Sequence, residues 1–235
     1  MRCRPGSICR RSGSRRVSAR EAILGRIRTS LRRADGDGAA ERVRAHIDAH
    51  AVSPRPHFTG DLIAQFRDNA VRLLSTIAEV PHVRDVPATA AAYLRAYNLP
   101  MRAVCWKALR LLDWVNNGIL MEERPARATD MVGVTEVFCA IAETGTLMTL
   151  SGEHTPPVSS LLPETHIAVL RTSQVVPSME EAWQRLRYTV GEMPRAVNFI
   201  SGPSRTADIE QTLTLGAHGP YRVHIILVSE GDCRV

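Results

Sequence analysis

An apolar run near the end of the chain, Ile225-Ile226-Leu227-Val228 with Val223 just before it, shows no period-two alternation. Continuity of this kind marks a strand covered on both faces, as in a parallel sheet with helices on either side. Upstream, apolar residues recur at steps of three and four in Leu62, Ile63, Phe66, Ala70, Leu73 and Leu74, which predicts a helix with Thr59 as its cap. Strand-like residues 76–80 follow. Pro87 suits the first turn of a helix running through Ala90, Tyr93, Leu94 and Tyr97, and residues 102–106 return to strand character. Residues 131–134, 147–150, 166–170 and 196–200 read as further strands, residues 137–142 as a short apolar helical piece, and residues 113–128 as a polar connection. Ser178-Met179-Glu180-Glu181 has capping-box spacing and opens a helix through Trp183, Leu186 and Val190. Helix and strand alternate, so the expected fold is α/β with a mostly parallel sheet.

The N-terminal region differs. Ser18 and Glu21 have capping-box spacing before Ile23, Leu24, Ile27 and Leu31, predicting a helix over residues 19–33, and a weaker one follows over residues 39–50. Each has one apolar stripe, so they are expected to pack on the main domain or on a second subunit, which leaves a homodimer open. The domain expectation is a disordered basic tail over residues 1–17, a helical extension over 18–58 and an α/β domain over 59–235.

Charge alters this picture only at the tail. The formal charge is +6, yet residues 1–33 hold eleven arginines against Glu21 alone, so the rest of the chain is net acidic. The high pI therefore belongs to the tail and does not indicate a nucleic-acid partner. With almost no apolar residues to offset ordering entropy, residues 2–16 are expected to be dispensable for folding. The paired arginines precede no apolar segment of secretory type, and no run approaches a membrane span, so a cytoplasmic location is expected. Five cysteines, at 3, 9, 105, 139 and 233, form no CxxC pair, so this chain is not expected to bind an iron–sulfur cluster. No HxH or HExxH spacing occurs, which argues against a metal site, and neither GxGxxG nor a P-loop is present. Lys107, the single lysine, reads as an exposed helix start.

Chemistry concentrates in two segments. The strand over residues 196–200 breaks at Ser201-Gly202-Pro203, and Ser204, Arg205, Thr206 and Asp208 follow within five positions. A second turn carries His218 and Gly219. Arg205 is the best anion-binding candidate, since its planar fork can hold a carboxylate or phosphate by two parallel hydrogen bonds; a salt bridge to Asp208 or Glu210 is its bland alternative. Glu143, Thr144, Gly145 and Thr146 place a carboxylate and two hydroxyls around a glycine that a ligand can approach closely; a plain capped turn is the alternative there. Glu143 and His218 are the candidate proton-transfer groups, with Thr144, Gly145, Thr146, Ser201, Gly202, Ser204, Arg205, Thr206, Asp208 and Gly219 as substrate-binding residues. The two segments are expected to meet at the carboxyl edge of the parallel sheet in one anion-binding cleft.

The run GPSRTADIEQTLTLGAHGP over residues 202–220, with Ala140-Ile141-Ala142-Glu143-Thr144-Gly145-Thr146-Leu147 and Ser160-Leu161-Leu162-Pro163-Glu164-Thr165-His166-Ile167, resembles the lactate-utilization protein C family, the LUD domain. The resemblance covers about residues 59–228. It implies a three-layer α/β/α fold like that of the ribose-phosphate isomerase and CoA-transferase group. It also implies a part in oxidising L-lactate to pyruvate beside iron–sulfur partner proteins, which would carry the clusters while this chain holds no cofactor. It does not supply a catalytic step for this subunit. Two other readings stay open: a stand-alone transferase or isomerase acting on a carboxylate or sugar phosphate, and a carboxylate-sensing module.

Overall fold

The computed structural model describes residues 18–31, 38–51, 54, 59–206 and 214–229. The expectations for the tail and for Asp208 fall outside these residues. Contacts divide the chain into two units, Met1–Arg55 and Pro56–Val235. In the first, α1 (Ala19–Ser30) carries the complete Ser18–Glu21 capping box, and α2 (Ala39–Asp48) follows; neither buries a residue.

The second unit runs α3 (Leu62–Arg72), β1 (Thr76–Val80), α4 (Val86–Ala96), β2 (Arg102–Cys105), β3 (Leu120–Glu123), β4 (Val132–Glu136), β5 (Cys139–Ile141), β6 (Thr146–Leu150), α5 (Val158–Leu161), β7 (Thr165–Arg171), β8 (Val175–Val176), α6 (Met179–Thr189), β9 (Val197–Ile200), β10 (Arg205–Thr206), β11 (Thr214–Leu215) and β12 (Arg222–Val228). Six strands form one sheet in the order β1-β12-β7-β4-β2-β3, every neighbouring pair parallel. This is the α/β fold expected. No helix among the described residues is long and apolar enough to cross a membrane.

β12 lies between β1 and β7 with Ile226 in register with Ala78 and Val169. Alternate β12 residues enter different clusters. Ile226 and Val228 pack with Val86, Ala90 and Leu94 of α4, whereas Val223, Ile225 and Leu227 pack with Phe66 and Ala70 of α3 and with Leu147 and Ile200. Both faces are thus buried, which is why the run shows no alternation.

A second, four-stranded sheet, β8-β5-β6-β9, lies on the α3 side, and α6 covers it through Ala182 and Leu186. It corrects the helical reading of residues 137–142. Cys139, Ala140 and Ile141 are wholly buried strand residues, and a short apolar run buried all round has no periodicity to separate strand from helix. The supposed connection over residues 113–128 contains β3, an edge strand whose Leu120 and Glu123 are exposed, so its polarity hid it. The cap of α3 is Asp61, which accepts from the Ile63 amide at 2.8 Å, not Thr59.

Two histidines are sealed near the amino ends of their strands. His166 Nε2 lies 2.8 Å from Thr135 Oγ1, and its Nδ1 has no partner among the described residues. His224 Nδ1 lies 2.9 Å from Thr76 Oγ1, and its ring stacks on Tyr93 at 3.9 Å. Burial pushes each down to about 4, because the charged form loses its hydration. Both rings are therefore neutral in the fold between pH 4 and 6.5 while the unfolded chain protonates them, so their contribution is complete above about 6.5 and is lost as pH falls toward 4. The expected loss is on the order of 3 kcal/mol per ring over that interval. Urea unfolding at steps from pH 7 to 4 checks it, and a flat stability profile would contradict it. Asp130, held down to about 2 first by its Arg124 hydrogen bond, adds its own loss only at lower pH.

Candidate functional site

The antiparallel pairing of β6 with β9 puts the start of one strand beside the end of the other, with Leu147 opposite Ile200. The turn before β6 and the loop after β9 therefore meet. Their junction is a chain of hydroxyls: Thr144 Oγ1 donates to Thr146 Oγ1 at 2.8 Å, and Thr146 Oγ1 lies 2.7 Å from Ser201 Oγ. Thr146 is buried, whereas Thr144 and Ser201 are exposed.

Both loop glycines have left-handed backbone, φ +66° at Gly145 and +75° at Gly202. Their missing side chains make room for α3. A Cβ on Gly145 would stand 2.4 Å from the Ala70 amide nitrogen, and one on Gly202 would stand 2.1 Å from the Leu73 carbonyl oxygen. The close approach that sequence reasoning assigned to a ligand at Gly145 is thus made by a helix backbone. Asn69 of the same helix seals the contact, its Nδ2 donating to the carbonyls of Ala142 at 2.9 Å and Glu143 at 3.1 Å. Glu143 is engaged as well. Its Oε1 accepts from the Met179 amide at 3.0 Å, so the carboxylate caps α6 and meets the positive end of the helix dipole.

The loop after β9 and the turn before β12 form a cleft of about 380 Å³. Ser201, Gly202, Ser204, Arg205, His218 and Gly219 all line it, while Glu143, Thr144, Gly145 and Thr146 do not. Thr206 continues β10, half-buried, in register with Thr214. Ser204 ties the two segments together: its amide donates to the Pro220 carbonyl at 2.9 Å, its carbonyl accepts from the Gly216 amide at 2.9 Å, and its hydroxyl accepts from the His218 amide at 3.3 Å. Arg205 and His218 are exposed at the mouth. Sequence reasoning missed the apolar wall of Leu161, Phe199, Pro203 and Pro220. Phe199 carried a signal, an aromatic just before the polar loop, and its ring meets Trp183 edge-on at 5.7 Å.

The cleft's position also differs from expectation. The loop does follow the carboxyl end of β9, but β9 belongs to the four-stranded sheet. Relative to the six-stranded sheet, the cleft is at the amino edge, since its walls include Leu161 ahead of β7 and residues 218–220 ahead of β12. The expectation of a carboxyl-edge site assumed one sheet where there are two.

Chemically, the cleft offers an arginine fork, two serine hydroxyls and an imidazole over an apolar floor. That set suits a small anion with a carbon skeleton. Among the described residues no group of three or more His, Cys, Asp or Glu is placed to hold a metal ion. Cys105 and Cys139 are buried, and burial pushes their thiols up, to about 12 and about 11.

Comparison with known proteins bears on both fold and family. A crystal structure of a DUF162 family protein from Deinococcus radiodurans superposes with a TM-score of 0.55, covering 74% of this chain and all of that one, at 23% identity; this likeness concerns the fold. The chain is 35% identical over 136 residues to lactate utilization protein C of Bacillus subtilis, covering 53% of this chain and 57% of the relative. It is 41% identical over 102 residues to lactate utilization protein C of Halalkalibacterium halodurans, covering 42% and 44%. The chain thus spans about half the length of the curated relatives it matches. The LUD domain profile matches residues 92–228, more than half of the chain, taking in both signature segments and the whole lining of the cleft, and the chain belongs to the LUD domain family.

Proposed function

We propose that the cleft between residues 201–205 and 218–220 binds a small carboxylate, and that the chain works in L-lactate utilization as a subunit without clusters beside iron–sulfur partner proteins. The observation that carries the binding reading is the convergence of Arg205, Ser201, Ser204 and His218 on one 380 Å³ cleft. The relatives named for lactate utilization supply the metabolic setting. Arg205 holds the carboxylate through its fork, Ser201 and Ser204 orient the skeleton, and His218 is the proton-transfer candidate at the mouth. Glu143 acts on this site indirectly. It fixes α6 and the turn from which the hydroxyl chain leads to Ser201. A transferase using a glutamate nucleophile needs that carboxylate in the cleft, and Glu143 does not line it.

Calorimetric titration of the full chain with L-lactate and with pyruvate tests this. Arg205→Ala should weaken binding at least ~10- to 100-fold, the scale of a lost charge-assisted pair, with the melting temperature within a few degrees of the parent because the side chain is exposed. Unchanged affinity would remove Arg205 from the site. The partner reading has its own check: affinity capture of the chain from its native cells should retain iron–sulfur proteins, and their absence would count against it.

A further inference from the structure

A second cavity, of about 150 Å³, lies at the other edge of the six-stranded sheet, where β2 ends at Cys105 and β3 at Glu123. The strand order reverses on one side of this cavity, between β2 and β4. From β2 the chain goes outward to β3, whereas from β4, the other neighbour of β2, it goes to β7 on the opposite side. Crevices at such reversals, outside the carboxyl ends of parallel strands, are the usual ligand positions of open α/β sheets.

The walls are fixed. Trp106 Nε1 donates to the Pro156 carbonyl at 3.1 Å, which fastens the 152–155 turn against the end of β2. Arg124 is clamped by Asp130 at 2.6 and 2.8 Å and by Glu122 at 2.7 Å, and Glu123 is engaged by Arg110 at 3.2 Å. Those charges are committed to the frame. Lys107 and His154 instead bond to each other, Nζ donating to Nε2 at 3.2 Å in the exposed part of the cavity wall, and Glu153 lines the same space. Among the described residues no ion pair engages Lys107 or Glu153. Lys107 is also the single lysine of a chain that otherwise uses arginine for its cations. A lysine is a compact point charge with rotatable donors, suited to one oxygen at close range where a guanidinium fork would overfill a small space.

We propose that this cavity is a second binding site, separate from the Arg205 cleft, for a short 2-hydroxy or 2-amino acid. Lys107 takes the carboxylate beside the His154 ring it donates to, and Glu153 accepts from the adjacent hydroxyl or ammonium. The near balance of uncommitted charge, with Lys107 against Glu153, favours a ligand that pairs an acceptor with a donor over a simple anion. The volume agrees, because a cavity of about 150 Å³ holds benzene, a ligand of six heavy atoms like a three-carbon hydroxy acid.

The test is an NMR titration of the full chain that follows the His154 ring resonances with L-lactate, L-serine and propionate. The expected result is saturable displacement by L-lactate or L-serine, with propionate at least about tenfold weaker because it lacks the second polar group. Lys107→Met should weaken the response at least about tenfold, and Arg205→Ala should leave it unchanged, which separates this site from the other cleft. The proposal would be overturned by no saturable displacement, by propionate binding as well as the bifunctional acids, or by a response that survives Lys107→Met. Loss of the response in Arg205→Ala would also overturn it, by assigning the effect to the other cleft.

Discussion

Ile226→Asp should abolish soluble accumulation of the protein. Ile226 is fully buried in β12, the strand bracketed by β1 and β7, and it packs in one cluster with Val86, Ala90 and Leu94. A carboxylate there loses its hydration and finds no partner, at a cost of several kcal/mol, and it also forfeits the isoleucine's burial of about 2–3 kcal/mol. Against a total stability of about 5–15 kcal/mol, the sum leaves little folded population. Recovery in the soluble fraction, followed by thermal unfolding of whatever is recovered, measures it. Ile226→Val serves as the mild companion and should cost only about 1 kcal/mol. A soluble Asp variant melting near the parent would refute the burial of β12.

The second large effect is expected at Gly145. Alanine there must hold φ near +66°, which costs a residue with a side chain about 1 kcal/mol or more, and its Cβ would stand 2.4 Å from the Ala70 amide nitrogen and 2.6 Å from the Asn69 carbonyl carbon. Both obstacles are helix backbone, so relief requires moving α3 itself. A loss of about 2–4 kcal/mol follows, or roughly 5–15 °C in melting temperature for a unit of this size. Gly202→Ala, aimed at the Leu73 carbonyl at φ +75°, should behave alike. Gly191→Ala is the internal control, since nothing stands within 4 Å of the added atom. If Gly145→Ala melts with the Gly191 control, α3 is not seated against the two loops as described.

These two cases show what could be read from the chain alone. The parallel sheet was legible because β12 and β7 are continuous apolar runs and because β1, α4 and β2 alternate with clear caps and periods. The four-stranded sheet was not, since β5 is three residues of uniform burial and β8 is two, too short for any period to register. That omission propagated. With one sheet in mind, the loop after β9 was referred to the wrong edge; six of the twelve named residues line one cleft. Glu143 looked chemical because its neighbours were hydroxyls. The groups that actually engage it, the amide of Met179 and the side chain of Asn69, are 36 and 74 residues distant, and no local pattern announces them. Lys107 is the exposed helix start it was read as, while its neighbour His154 arrives from a turn 47 residues later.

The proposed carboxylate site is formed by Arg205, the two serines and His218 at the amino edge of the six-stranded sheet. The most direct measurement is a crystal structure of the full chain grown with saturating L-lactate or pyruvate. Density for the acid is expected in the cleft between residues 201–205 and 218–220, its carboxylate in two parallel hydrogen bonds to the Arg205 guanidinium and its skeleton against Phe199 and Pro203. Well-ordered Arg205 and His218 side chains with no ligand between them, or an acid bound against Glu143 on the other side of the hydroxyl chain, would contradict it.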